Sequence, residues 1–155
     1  GYADCAARLA VYADHAEYGY LFRSLRALCA FLSVKADLGI RTRAAYLSGD
    51  KTAAKALCTD YDAALERLDA FYAAYEQQWM LDNKPHGFDV QDLRIGGQRQ
   101  RLLHCRDRLL AYAEGRLDRI EELEEPVLDC CCEEKADGQA TRAIFWHEIA
   151  SANVI

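Results

Sequence analysis

The residues best suited to chemistry lie in the segment from Gln78 to Gly97, between two long helical patterns. The side chains there that can donate or accept hydrogen bonds include Asn83, His86, Asp89, Gln91, Asp92 and Arg94. A solvated connector needs no such density of polar groups. One interpretation is internal, with aspartate and asparagine binding backbone amides of the turn and Arg94 pairing with a carboxylate. The other is a docking surface for another domain or subunit, and both can hold together.

Two aromatic residues accompany this polar set. Trp79 and Phe88 flank Pro85-His86-Gly87, a turn signature. Apolar anchors ringed by hydrogen-bonding groups are the usual anatomy of a protein interface. The candidate interface residues are therefore Trp79, Asn83, Phe88, Asp89, Gln91, Asp92 and Arg94.

No spacing typical of a catalytic or metal site is present. The four histidines are scattered, and none belongs to a His-Glu-x-x-His motif: His15, His86, His104 and His147. The chain has no Gly-x-Ser-x-Gly elbow and no Gly-x-x-x-x-Gly-Lys phosphate loop. Gly96-Gly97 is more typical of a close backbone approach or a helix start. We therefore expect no catalytic residue, metal or cofactor in this chain.

Seven cysteines are present, and no two form a Cys-x-x-Cys pair, which argues against a zinc ribbon or a thioredoxin-like site. Cys29, Cys58 and Cys105 occupy apolar helical positions, where a free thiol behaves as a small hydrophobe. Cys130-Cys131-Cys132 are adjacent, so their side chains cannot easily converge on one metal ion. The sequence thus predicts reduced cysteines and a cytoplasmic location.

The composition, with 52% apolar and 28% charged residues over 155 positions, is that of one globular domain spanning residues 1–155. A net charge of −6 disfavours nucleic acid as a partner. No apolar run approaches the roughly 20 residues that span a bilayer, so no membrane association is expected. The chain begins at Gly1 and its only methionine is Met80, from which we expect a piece of a longer polypeptide.

Charge is unevenly distributed along the sequence. The stretch from Glu114 to Glu134 contains nine acidic residues and only two basic ones, Arg116 and Arg119. A basic stretch from Arg94 to Arg108 precedes it. Such runs are usually solvated faces. Pairing of the two stretches, within one chain or between subunits, is the alternative.

The strongest structural signal is an apolar stripe at spacings of three and four. It predicts one uninterrupted helix from about Asp50 to Leu81, about 45 Å long, packed nearly antiparallel to its neighbours. Asp50 is a suitable N-cap. The tyrosines and tryptophans follow the same kind of spacing, so packing explains them, with sugar stacking as the alternative. The stripe comprises Ala54, Leu57, Tyr61, Ala64, Leu68, Phe71, Tyr75 and Trp79.

Shorter helical patterns surround this one. We expect an all-α bundle of about five to six helices with a docked C-terminal tail. The helices before it are predicted at Ala3 to Tyr18, Tyr20 to Leu38 with Gly39 as a left-handed cap, and Ile40 to Leu47, ending at Gly49. After it come Gln98 to Glu114, preceded by Asp89 or Asp92 as a cap and ended by Gly115, and a brief acidic helix begun at Asp118 and closed by Pro126. Residues 129–140 are predicted to be a loop, and 141–155 a short helix carrying Ile144, Phe145, Trp146 and Ile149.

Several blocks between residues 20 and 128 carry a resemblance to a known family. They are Leu28-Cys29, Val34 to Arg41, Ala45-Tyr46, Gly49-Asp50, Phe71-Tyr72, Gln78-Trp79, Asn83 to Pro85, Gly87 to Asp92, Arg94, Gly96-Gly97, Arg101, Cys105, Arg108-Leu109, Tyr112, Gly115 and Glu121 to Glu125. Together they resemble the C-terminal helical domain of bacterial glycoside hydrolase family 20 enzymes, the exo-β-N-acetylhexosaminidases.

The resemblance implies a place in carbohydrate metabolism. Family-20 enzymes remove terminal N-acetylglucosamine or N-acetylgalactosamine, and the acetamido oxygen of the substrate attacks the anomeric carbon. An adjacent Asp-Glu pair on a barrel domain orients the acetamide and protonates the leaving oxygen. This chain contains no Asp-Glu dipeptide, so no catalytic residue is carried over.

The interpretation that follows is a noncatalytic domain that packs on the catalytic barrel of the same polypeptide and helps form a homodimer. A free-standing all-helical module, whose polar turn binds another protein, is the rival hypothesis. An upstream barrel with an Asp-Glu pair would distinguish the two.

Overall fold

The computed structural model describes residues 1–126, so the predicted loop at 129–140, the predicted helix at 141–155, its docking and the Cys130–Cys132 run lie outside the described residues. Within 1–126 the chain forms helices and no strand, which confirms the all-α prediction. The helices are α1 (Tyr2–Ala10), α2 (Gly19–Lys35), α3 (Leu38–Leu47), α4 (Lys51–Asp82), α5 (Phe88–Ala113) and α6 (Glu121–Glu124). None of the helices in this part of the chain combines the length and apolarity needed to cross a bilayer.

Helix α4 is the centre of the fold, and its predicted extent is confirmed to within one residue at each end. The carboxylate of Asp50 accepts a hydrogen bond from the Ala53 amide at 2.9 Å, the predicted N-cap. The predicted stripe faces the core, where Ala64 and Leu68 are buried. Because apolar residues recur on one face without a proline or glycine, burial and backbone hydrogen bonding favour the same continuous helix.

Helices α2 and α5 both pack antiparallel along α4. The Arg67 guanidinium on α4 donates to the Ala30 carbonyl on α2 at 3.0 Å, and Arg99 on α5 donates to Asp69 on α4 at 2.8 Å. Among residues 1–126, the backbones of α2 and α5 do not approach each other closely, and the backbone of α1 approaches only that of α2. The long helices are therefore arranged side by side in the order α1, α2, α4, α5.

Helices α3 and α6 lie at the end of α4 where that helix begins. On α3, Thr42 is buried and its hydroxyl lies 3.0 Å from the Tyr61 hydroxyl on α4. The Tyr46 hydroxyl donates to Glu124 at 2.5 Å and accepts from the Ile120 amide at 3.0 Å. These two bonds attach α6 to α3 across more than seventy residues of sequence.

The prediction for the first helix was wrong, since α1 ends at Ala10 rather than continuing to Tyr18. After turns, His15 Nδ1 accepts hydrogen bonds from the backbone amides of Glu17 and Tyr18 at 3.3 and 3.1 Å. This side-chain acceptor competes with helix continuation. Gly19 does not stop a helix but begins α2, and its missing side chain leaves room for the Ala13 carbonyl.

Three further glycine predictions were wrong. Gly39 lies inside α3 and is not among the glycines with a positive φ, because the chain turns at residues 36–37 instead. Gly96 and Gly97 lie inside α5 with open space beside them, so they serve neither a close approach nor a helix start. Helix α5 begins at Phe88, before both predicted caps, Asp89 and Asp92, and ten residues before the predicted helix body from Gln98. By contrast, Gly49 and Gly115 follow α3 and α5 in the left-handed conformation, as helix-ending glycines do.

Pairing of the basic and acidic stretches within one chain is confirmed. Arg101 on α5 contacts Glu122 at 2.5 Å, and Arg108 contacts Glu121 at 3.0 Å. The predicted acidic helix is only four residues long, Glu121–Glu124, and these ion pairs attach it to α5. The Arg101 guanidinium lowers the pKa of Glu122, and Arg119 followed by Tyr46 lowers the pKa of Glu124.

These lowered pKa values give the attachment of α6 an acid sensitivity. A carboxylate with a lowered folded-state pKa stabilises the fold fully above its ordinary value of 4.5 and loses that contribution as pH falls through the folded pKa. We expect the melting temperature of the wild type to fall more between about pH 5 and pH 3 than that of Glu122→Gln. Glu66→Gln, at an exposed glutamate on α4, should keep the wild-type profile. Identical acid profiles for all three proteins would contradict this assignment.

Candidate docking surface

The segment joining α4 to α5 is built by short-range hydrogen bonds. Asn83 ends α4 in an extended conformation, and the Trp79 indole nitrogen donates to the Lys84 carbonyl at 2.9 Å. Gly87 adopts φ 95°, a left-handed value that favours glycine, and the Phe88 amide donates to the Pro85 carbonyl at 3.1 Å. Hydrogen bonds within the segment and the left-handed conformation of Gly87 therefore determine the shape of the turn.

Aromatic rings fill the angle between the two helices. Phe88 on α5 is only 5% exposed and lies 5.6 Å from the Trp79 ring and 5.9 Å from the rings of Tyr72 and Tyr75, measured between centroids. These distances suit edge and offset contacts between rings. Phe88 thus packs within the domain, and Trp79 is half-buried against it. Phe88 and Trp79 therefore stabilise the turn by packing against each other within the domain.

The polar residues predicted for this segment divide into two groups. Asp92 accepts a hydrogen bond from the Tyr72 hydroxyl at 2.6 Å, and this raises the pKa of Tyr72 to about 12. The predicted cap at Asp89 or Asp92 was wrong, because no side chain caps α5, although Asp89 lies in its first turn. Asn83, Asp89 and Arg94 are exposed and Gln91 is half-buried. The internal interpretation accounts for Asp92 and Trp79, whereas a docking role for the exposed residues stays a prediction.

The connection between α1 and α2 lies at this same end of the domain. The Tyr20 hydroxyl, in the first turn of α2, donates to Asp82 at the end of α4 at 2.5 Å. A surface groove beside it is bordered by His15, Arg23 and Leu81. The Arg23 guanidinium donates to the Ala13 carbonyl at 2.7 Å, which ties the connection to α2. Two chain segments about sixty residues apart therefore form one end of the array.

This end exposes large apolar side chains that are not among the predicted interface residues. Val11 is 79% exposed, Leu81 63% and Leu93 54%. Leu81 follows the buried stripe, and Leu93 follows the turn. Their positions in the helical period were the sequence signal that could have identified them. Val11 could not be recognised while α1 was predicted to continue past it. We call this set the turn-end surface: Val11, Tyr12, Tyr18, Met80, Leu81 and Leu93.

The chemistry available on the described residues is that of binding. No group of three or more histidine, cysteine or acidic residues within 1–126 is placed to hold a metal ion. A cavity of about 170 Å³ between α3, α4, α5 and α6 is lined by Thr42, Tyr61 and Cys105, among others, and is smaller than the roughly 300 Å³ of typical ligand pockets, whereas the grooves of about 660 Å³ and 650 Å³ elsewhere are open to the surface. The turn-end surface, with apolar residues beside exposed Asn83 and Arg94, has the composition of an interface.

Comparison with known proteins bears on this arrangement. None of the curated proteins matches the chain. A family described as the Glycoside Hydrolase 20C C-terminal domain matches residues 1–142, which is most of the sequence and includes every described helix. The chain therefore belongs to the glycoside hydrolase 20C C-terminal domain family, and a C-terminal domain of this kind is attached to a catalytic domain.

Proposed function

We propose that this chain is a single noncatalytic domain of a bacterial β-N-acetylhexosaminidase and that it docks on the catalytic barrel of the same polypeptide. The parent enzyme removes terminal N-acetylglucosamine or N-acetylgalactosamine in this proposal. Family membership supports the attachment to a catalytic domain. The observation that carries the docking role is the turn-end surface, where six large apolar side chains are exposed at one end.

Exposed large apolar side chains of this kind favour a protein partner. Monomeric soluble domains rarely leave extended apolar patches open to water, since each exposed side chain forgoes the gain from burial. Leu81 and Leu93 would supply that burial on the two sides of the turn. Asn83, Asp89 and Arg94 would form its polar rim, because an interface commonly places hydrogen-bonding groups around an apolar centre.

Assembly and location complete the proposal. A homodimer of the parent enzyme would use a surface other than the one the barrel covers. The cytoplasm suits the free thiols of Cys5, Cys29, Cys58 and Cys105. Burial raises the pKa of Cys58 and of Cys105, which disfavours the reactive thiolate form of both.

The test is made in the full-length enzyme with Leu81→Asp combined with Leu93→Asp. Burying two unpaired carboxylates at a docking surface is strongly unfavourable, so we expect the two domains to melt separately and hydrolysis of an aryl N-acetylglucosaminide to fall. The same double variant of this chain alone should melt like the wild type, because both side chains are already exposed. Neither isolated form should turn over the substrate above the buffer rate, since neither has an Asp-Glu pair.

The matched control is Leu47→Asp, the same substitution at an exposed leucine on α3, at the opposite end of the domain. It should leave domain docking and hydrolysis unchanged. The proposal is wrong if the turn-end variant assembles and hydrolyses normally, or if Leu47→Asp causes an equal loss.

A further inference from the structure

Helix α3 has an outer face that no described residue covers. Its inner residues Leu38, Ala45 and Tyr46 are buried against the bundle, whereas Ile40 is 75% exposed and Leu47 61%. Ile40, Ala44 and Leu47 recur at spacings of four and three, so they lie on one side of the helix. This outer face is distinct from the turn-end surface, because α3 lies beside the beginning of α4.

The described part of the chain ends directly beside this face. The Arg43 guanidinium, one residue from Ala44 on α3, donates to the Glu125 carbonyl at 2.9 Å. The Tyr46 hydroxyl holds Glu124 at 2.5 Å, as described above. Glu125 therefore lies within reach of one arginine side chain of α3, and Pro126 follows it directly.

We propose that residues 127–155 of the same chain cover the outer face of α3. The apolar residues that would do so are Ile144, Phe145, Trp146 and Ile149, of which Phe145, Trp146 and Ile149 share one side of a helical pattern. The fourteen residues from 127 to 140 can extend over about 45 Å. Helix α3 is only about 15 Å long. The segment from 127 to 140 is thus long enough to allow this contact.

The covalent connection favours this occupant over a separate molecule. A segment tethered beside its site has an effective concentration on the order of millimolar, so even a modest apolar contact is populated within one chain. A second copy of the chain or the catalytic domain could also meet α3, and the experiment distinguishes each from the tail.

Trp146 is a built-in reporter, because the chain has only one other tryptophan, Trp79. In a Trp79→Phe background we expect the Trp146 emission to be blue-shifted, and its quenching by acrylamide weaker, than in the same protein unfolded in urea. Ile40→Asp combined with Leu47→Asp should move both signals toward the unfolded values. Circular dichroism should show that helix content is kept, since both side chains are exposed.

The matched control is the pair Leu81→Asp and Leu93→Asp, which places the same charges at the other end and should leave Trp146 protected.

A second measurement uses Phe145→Asp with Ile149→Asp, which should shift the methyl NMR resonances of Ile40 and Leu47. The proposal is overturned if Trp146 is fully quenchable in the background protein, or if the α3 variant leaves it protected. Protection that disappears on dilution would identify a second copy as the occupant, and unshifted methyl resonances would likewise exclude the tail. All of these measurements use this chain alone, so they stand or fall separately from docking on the barrel.

Discussion

Leu68→Ala is expected to lower the free energy of unfolding by about 2–5 kcal/mol, a large part of the stability of a domain of this size. Leu68 lies in the middle of α4 and is only 2% exposed, in the core shared by α2 and α5. Removing its branched end costs the lost apolar burial and leaves a cavity.

Urea unfolding of the two proteins, followed by circular dichroism, measures this effect. Leu93→Ala is the matched control, since the same substitution is made at a leucine that is 54% exposed on α5. It should change the unfolding free energy by less than about 0.5 kcal/mol. If Leu68→Ala costs no more than Leu93→Ala, the stripe on α4 does not face the core.

Gly19→Ala is expected to destabilise the domain by about 1–3 kcal/mol, as overpacking does in a tight contact. A Cβ atom at Gly19 would lie 2.5 Å from the Ala13 carbonyl oxygen, which is backbone and cannot rotate away. The same oxygen accepts the Arg23 hydrogen bond at 2.7 Å, so moving it also weakens the link between the α1–α2 connection and α2.

Gly96→Ala provides the opposite sign in the same experiment. Gly96 lies inside α5 and nothing surrounds the position a Cβ would take. Alanine is the better helix former, so this change should stabilise the domain by about 0.5–1 kcal/mol. Thermal melting of both variants decides the matter, and a Gly19→Ala protein that melts at or above the wild type would show that the α1–α2 connection does not approach α2 so closely.

The extent of α4 could be predicted because a single local signal was strong and uncontested. Apolar residues repeat on one face for nearly thirty positions, and Asp50 supplies the cap. The first helix lacked such agreement. Its pattern continues past Ala10, but the Arg23 bond to the Ala13 carbonyl and the His15 bonds to backbone amides favour a turn there. Arg23 belongs to α2, so the sequence pattern of the first helix alone does not reveal this contact.

In the candidate site, too, some features were predictable from the sequence and others depended on tertiary contacts. The residues around the turn drew attention by their polar types, yet Asp92 bonds a tyrosine twenty residues earlier and Phe88 is buried. The exposed apolar residues of the turn-end surface come from three separate stretches of sequence. Only the antiparallel packing of α2 on α4, with Tyr20 bonded to Asp82, brings Val11 to the same end as Leu81.

The sequence by itself determined the all-α class, the long central helix and the family resemblance, because each rests on local periodicity or on residues in a fixed order. The tertiary structure decided which charges pair, as in Arg101 with Glu122, and which aromatic residues turn inward. It also decided which apolar residues remain outside the core: Ile40 on α3 and Leu93 on α5 are exposed while Leu38 and Leu102 on the same helices are buried. The physical reason is that exposure depends on which helix faces its neighbours cover, and those neighbours are distant in the chain.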